Sequence, residues 1–294
     1  MLVLGGTGFV GRTVVTLAIS HGWKVTTFTR GHASWAHPAA RQLRGDRLSP
    51  ADLATLDGEW DTVLDTWAGA PKAVTHSATA LTDRAERYVY VSSRAVYAPP
   101  LPRDLDESHP TVKASAKAET GEYAPNKRGG ELAALAAFGD RAVLARAGLI
   151  LGPHENGGRL PYWLDLIARG GTVLAPGPPE LPVRFVDVRD LAAWILAAPP
   201  GPTNLVNPAG HTSMRSLLEA AIAVTGADAD LDWKTPEEIT AAGIDRWAEL
   251  PCWIPPEPHL AGLIHTDTTR AQATGLRCRP VEETVADTWT WLSR

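Results

Sequence analysis

Short runs of apolar, β-branched and aromatic residues recur through the first half of the chain, at Met1–Leu4, Lys24–Phe28, Thr62–Asp65, Tyr88–Val91 and Ala142–Ala145. Stretches long enough for a helix separate them. Strand-length runs that alternate with helix-length stretches predict a parallel sheet. Thr13 to Ile19 carries a helical pattern, Ser49-Pro50 reads as an N-cap followed by proline at the first helical position, and Thr235, Pro236 and Glu238 form a capping-box signature. Beyond about Gly152 the rhythm gives way to Gly/Pro-rich connections at 170–182, 199–202 and 251–258. There is no internal repeat or low-complexity tract, so both halves are expected to form one folding unit.

The 294 residues suffice for a sizeable core without a metal or disulfide staple. A net charge of −5 provides no broad attraction to nucleic acid or anionic lipid, so neither is expected as a partner. Cys252 and Cys278 lack metal-ligand spacing and are too few for a disulfide framework, although a single bridge remains open; the simplest setting is a reducing cytoplasm. The apolar opening has no basic flank and is broken by glycines, unlike a signal peptide. No run of eighteen apolar residues suggests a membrane span.

The first strand leads directly into Gly5-Gly6-Thr7-Gly8-Phe9-Val10-Gly11 and then into the first helical pattern. Glycine there permits a tight turn and a close backbone approach to a pyrophosphate, and the helix N-terminus offers free N–H groups at the positive dipole end. The implied architecture is α/β: a Rossmann doubly wound parallel sheet with a smaller C-terminal substrate-binding lobe. Residues 1–153 are expected to bind the dinucleotide and residues 154–294 to form the lobe, with 183–207 returning to the sheet. Gly5, Thr7, Gly8, Phe9, Val10 and Gly11 are the candidate phosphate-loop contacts. Where an NAD site presents a carboxylate to the adenosine ribose, the second strand ends in Thr29-Arg30. A guanidinium at this place can pair with a 2′-phosphate, which favours NADP(H) over NAD(H). Asp46 is either an adenine contact or an exposed loop residue.

Glu122-Tyr123-Ala124-Pro125-Asn126-Lys127 contains YxxxK, whose i, i+4 spacing places phenol and ammonium on one helical face. An ammonium one turn away stabilises a phenolate and makes tyrosine usable as a general acid near neutral pH. Upstream, Tyr88 to Tyr97 is a strand ending in Ser92-Ser93-Arg94-Ala95. With GGTGFVG at the first turn, VSSRAVY, YAPNK, and FVDVRDLA from Phe185 to Ala192, the chain resembles the extended short-chain dehydrogenase/reductase family, which includes sugar-nucleotide epimerases and NADP(H)-dependent reductases. The resemblance implies Tyr123, Lys127 and Ser93 as catalytic residues and places Ser92 and Lys127 at the cofactor. Ala147 stands where the family usually has proline. Arg94 and Ala95 replace the acidic pair of the family's dehydratases, which disfavours water elimination. Gly129 and Gly130 either admit another backbone closely or are drift, and each costs roughly 0.5–1 kcal/mol relative to alanine in a helix.

Arg94, Arg159, Arg184 and Trp253 are the candidate substrate contacts; Arg159 and Arg184 occupy regions where nucleotide-sugar enzymes of the family hold a diphosphate. Seven of eleven tryptophans lie beyond Gly152, and those in the segment Arg246-Trp247 to Trp253-Ile254 could form an aromatic lid. The leading expectation is an NADPH-dependent reductase of a ketone in a small organic molecule, bulky or aromatic secondary metabolites included. The alternatives are a nucleotide-sugar epimerase with bound NAD, and a catalytically idle scaffold or regulator. No metal is expected, and the chain is expected as monomer or homodimer.

Overall fold

The computed structural model describes residues 1–245 and 249–294. In chain order the strands are β1 (Leu2–Leu4), β2 (Thr26–Thr29), β3 (Arg41–Arg44), β4 (Trp60–Asp65), β5 (Ala85–Ser93), β6 (Ala142–Ala147), β7 (Leu149–Leu151), β8 (Gly171–Pro176), β9 (Phe185–Asp187), β10 (Gly201–Leu205) and β11 (Ala229–Lys234). The helices are α1 (Phe9–Ser20), α2 (Pro50–Leu53), α3 (Lys72–Leu81), α4 (Tyr123–Phe138), α5 (Arg159–Ala168), α6 (Val188–Ala197), α7 (Met214–Thr225), α8 (Pro236–Ala241), α9 (Ala261–His265), α10 (Thr269–Ala273) and α11 (Val281–Leu292).

Seven strands form one parallel sheet in the order β10-β6-β5-β4-β1-β2-β3. Successive strands run outward from β1 through β2 to β3, and then the chain returns to the other side of β1 with β4. In such a doubly wound sheet the crevice at the carboxyl ends of β1 and β4 is where ligands bind. Strand pleating sends alternate residues to opposite faces. Leu2, Leu4, Tyr88 and Tyr90 pack toward α3 and α4, whereas Val3, Val89 and Val91 pack toward α1 and α6. The strands therefore need apolar residues at every position, which is why they stand out in the sequence. Leu2, Val3 and Leu4 are fully buried, each worth about 1.5–3 kcal/mol.

The predicted strands at the sheet centre are all present, but β3 was not foreseen. Its Arg-Gln-Leu-Arg sequence is largely exposed because it closes the edge, where charged residues discourage pairing with another chain. Ser49 caps α2 by accepting from the Asp52 N–H, and Thr235 with Glu238 completes a capping box on α8. After Gly152 the chain crosses to a separate apolar cluster around Trp163, Phe185, Leu217 and Val285, built on α5, α7, α11 and the parallel pair β8–β11. Residues 183–207 return: β9 pairs with β7, α6 packs on α1, and β10 extends the main sheet beside β6. Cys252 and Cys278 are both free thiols. Among the described residues no helix is long and apolar enough to cross a membrane.

The glycine pair in α4 has a packing purpose. A Cβ on Gly129 would collide with the Pro71 ring and the Ser115 carbonyl, and one on Gly130 with the Tyr90 ring. These residues let α4 sit close enough to β5 for its polar stripe to reach the strand ends. Gly130→Ala is expected to lower unfolding stability by about 1–3 kcal/mol through overpacking, read as a lower denaturant midpoint at unchanged slope.

Candidate active site

The turn after β1 is shaped by steric necessity. Gly5 has φ 96°, and a Cβ there would lie 2.5 Å from Thr66 Oγ1; a Cβ on Gly11 would run into the Gly5 carbonyl. Gly8, the N-cap of α1, has no side chain and nothing within 4 Å of where one would project. The first N–H groups of α1 therefore have no side-chain cap, which suits a pyrophosphate.

Two cavities flank this helix end. One, of about 280 Å³, is lined by Gly5, Thr7, Thr29, Arg30, His32, Asp46, Arg47 and Trp67, at the carboxyl ends of β1 to β4. The other, of about 800 Å³, is lined by Gly8, Phe9, Val10 and Gly11 on one side and by Ser92, Ser93, Arg94, Tyr123 and Lys127 on another. Gly148, Leu149, Ile150, Arg159 and the segment Leu250 to Ile254 complete it. The two cavities share Thr66 and Ala68 in their linings, one on each side of the uncapped helix end.

In the smaller cavity no carboxylate follows Thr29, and Arg30 is exposed at the rim. Asp46 uses its carboxylate within its own turn, accepting from the Leu48 N–H at 2.9 Å. A residue not singled out in the sequence forms the floor: Arg47 pairs with the fully buried Asp65 at 2.5 Å and stacks over Trp67. Asp65 also accepts from the Tyr88 hydroxyl at 2.6 Å and the Trp67 N–H at 2.8 Å. Burial and then the Asp65 charge hold the Tyr88 phenol well above its usual range.

In the larger cavity Tyr123 opens α4 and is 54% exposed, at the mouth of the cleft. Proline two residues on is tolerated because first-turn N–H groups have no intrahelical partner. One turn deeper Lys127 is buried, and its ammonium donates to the Trp67 carbonyl at 2.8 Å and the Val91 carbonyl at 2.6 Å. Burial lowers its pKa to about 8, against the opposing pull of Asp65 and Glu131. Ser93 accepts from the Ala95 N–H at 3.2 Å, which leaves its hydroxyl proton available to donate.

Glu131 continues the stripe at the next i+4 position. It is fully buried and accepts from Ser92 Oγ at 2.7 Å, from Arg146 Nε at 2.8 Å and Nη2 at 3.0 Å, and from Arg128 at 2.8 Å. Burial pulls the Arg146 guanidinium down, but its bonds to Glu131 more than reverse this and hold it above the usual arginine range. Arg146 reaches on to the Tyr97 hydroxyl, which donates to Asn204 Oδ1 at 2.6 Å. This network ties α4, β5, β6 and β10 together beneath the cleft. The sequence signals were present: Tyr123, Lys127 and Glu131 are spaced by four, and Arg146 interrupts a wholly buried strand.

Several residues singled out in the sequence sit elsewhere than expected. The Ser92 hydroxyl is occupied by Glu131. Arg184 is 1% exposed, absent from the cleft wall, and donates to the Ile264 carbonyl at 2.9 Å and the Thr266 carbonyl at 3.0 Å. Its guanidinium is drawn to the C-terminal end of α9 because buried carbonyls there need donors. Trp253 lines the cleft but is 3% exposed, its indole N–H bound to the Gly177 carbonyl at 3.2 Å, so it is a packed wall. Trp247 of the expected aromatic lid lies outside the described residues. Arg159, at the start of α5, is half-exposed on the cleft wall, 3.7 Å from Glu155. Glu155 itself accepts from the Arg159 and Leu160 N–H groups and fills that helix end.

A doubly wound sheet with an uncapped glycine turn at its switch point and a Tyr/Lys stripe beside it defines a Rossmann-fold chain of the extended short-chain dehydrogenase/reductase type. The chain belongs to the NAD dependent epimerase/dehydratase family, whose model matches residues 1–208. No curated protein matches it at a significant level. Among solved structures it is similar to the enzyme WbmH of Bordetella bronchiseptica in complex with NAD⁺, with TM-score 0.72 and 17% identity over 100% of this chain and 97% of that one. It is also similar to the UDP-glucose 4-epimerase of Thermotoga maritima with UDP-glucose, with TM-score 0.71 and 17% identity over 99% and 98% of the two chains. A putative epimerase from Burkholderia cenocepacia gives 0.70 and 22% over 100% and 98%.

Proposed function

We propose that this chain catalyses epimerase-type hydride transfer at a secondary carbinol of a small organic substrate, with Tyr123 as the proton carrier. The observation that carries this reading is the convergence of Tyr123, Ser93 and Lys127 on one cleft that also contains the N-terminus of α1. Residues 1–153, with 183–207 returning to the sheet, hold the cofactor, and the remaining C-terminal residues supply most of the substrate side. When bound, a nicotinamide supplies the hydride acceptor and donor.

The phenol of Tyr123 exchanges a proton with the carbinol oxygen, as a base when the carbinol is oxidised and as an acid when the carbonyl is reduced. Ser93 donates its hydroxyl proton to the same oxygen and stabilises alkoxide character. Lys127, buried and held by two backbone carbonyls, places a positive charge one helical turn below Tyr123.

Family membership and the epimerase folds found among solved structures favour epimerisation, in which the cofactor is retained through the cycle. A second reading, net reduction of a ketone by NADPH, is favoured by the Thr29-Arg30 end of β2, which offers a cation and no carboxylate to the adenosine ribose. Cofactor released from the purified protein distinguishes them. Retained NAD⁺, with inversion of a carbinol centre and no net consumption of cofactor, supports epimerisation. Exchangeable binding that prefers NADPH supports the reductase, and Arg30→Ala is then expected to weaken NADPH about tenfold, the loss of about 1.4 kcal/mol for one charge-assisted contact, while NADH affinity stays level in a binding titration. Absence of any nicotinamide binding would overturn both readings and leave the scaffold.

A further inference from the structure

Four arginines are buried beside the cleft or its supports, and two of them have the usual counter-charge. Arg47 is paired with Asp65 and Arg146 with Glu131. Arg94 and Arg184 are different. Among the described residues no carboxylate lies within ion-pair reach of either, and the Nε of each is buried without a hydrogen-bond partner. Burial and then the nearby Arg184 charge pull Arg94 below the ordinary arginine range, and burial does the same to Arg184. Two like charges in one desolvated corner make an incomplete cluster that an anion would stabilise.

The two guanidinium groups face different ways. Arg184 is committed to the Ile264 and Thr266 carbonyls, away from the cavity. Arg94, directly after Ser93, lines the cleft. Its Nη1 is anchored on the Leu263 carbonyl at 2.8 Å and on Thr266 Oγ1. The opposite edge, Nε and Nη2, adjoins Gly148, where an added Cβ would lie 3.1 and 3.0 Å from those atoms. Gly148 is part of the same cleft wall, and its backbone, with Val206 beside it, seals the buried Nε, so of that edge only Nη2, unpartnered among the described residues, is left to donate to an oxyanion at the cleft.

We propose that Arg94 is a specificity-determining residue that binds an oxyanion of the substrate, a carboxylate or a phosphate carried close to the reacting carbon. This rests on the reading of the cleft as the site of hydride transfer. Arg94 follows Ser93 directly in the chain and shares its cleft, so the anionic group and the carbinol oxygen are bound in the same cleft. The remaining walls around Leu149, Ile150 and Trp253 fit an apolar body. The substrate class is therefore an acidic secondary alcohol or ketone, and the family's diphosphate arrangement is not required, since Arg184 is held outside the cleft.

The test is calorimetric binding to the protein loaded with its nicotinamide cofactor, using benzoylformate, its uncharged methyl ester and inorganic phosphate as probes. Wild-type protein should bind benzoylformate or phosphate at least tenfold more tightly than the ester; preference for benzoylformate indicates a carboxylate substrate and preference for phosphate a phosphorylated one. Arg94→Gln should abolish that preference while ester affinity stays within about twofold, and Arg94→Lys should restore part of it. Equal binding of anions and ester by the wild-type protein would overturn the proposal without recourse to any variant. So would an anion preference that survives Arg94→Gln and disappears in Arg159→Gln. Binding needs no turnover, so this result is independent of whether Tyr123 carries the proton; loss of one leaves the other standing.

Discussion

Tyr123→Phe should lower the rate of hydride transfer by about 10²–10⁴-fold, the usual worth of a positioned general acid–base, with nicotinamide affinity changed by no more than a few-fold. Tyr123 is about half exposed at the first turn of α4 and its hydroxyl makes no hydrogen bond among the described residues, so the variant should fold with an unchanged melting profile. Single-turnover measurement after mixing loaded protein with substrate separates the chemical step from binding. A variant that keeps the wild-type single-turnover rate would remove Tyr123 from the reaction and shift attention to a proton path through Ser93.

Glu131→Leu should be the most destabilising single change in the cleft support, costing about 3–5 kcal/mol, because it leaves the buried Arg146 without its counter-charge. It also strips acceptors from Ser92 and Arg128. A double variant, Glu131→Leu with Arg146→Met, replaces the pair by apolar groups of similar size and should recover most of the loss, since burying neither charge is often no worse than burying both. Denaturant unfolding of the four proteins in this cycle gives the coupling directly. A loss below about 1 kcal/mol in the single variant would show that water reaches Arg146 readily, contrary to its 3% exposure.

Much of this organisation was visible before the fold. The phosphate loop could be located because its requirements are local: a strand, a turn that forbids side chains at Gly5 and Gly11, and a helix start follow one another in the chain. The Tyr123/Lys127 pair was legible for the same reason, since helical spacing places them on one face. Glu131 extends that spacing and was overlooked because a buried acid is identified by its partner, and Arg146 lies fifteen residues away on another element. The edge strand β3 escaped because an exposed edge carries no apolar pattern to detect.

The resemblance implied Ser93 for catalysis and Ser92 for the cofactor, but for the scattered arginines the sequence could name candidates and not assign them. Ser92 and Ser93 look alike in the chain; strand pleating turns one toward Glu131 under the sheet and leaves the other capping the turn at the cleft. Arg94 and Arg184 are ninety residues apart, yet both are anchored on the loop around Thr266, one at the cleft wall and one behind it. The sequence by itself determined the parallel sheet, the glycine turn and the Tyr/Lys stripe, because each depends on periodicity or adjacency along the chain. Only the tertiary structure decided which charges are paired and which face the cleft, because that depends on distant segments brought together by packing.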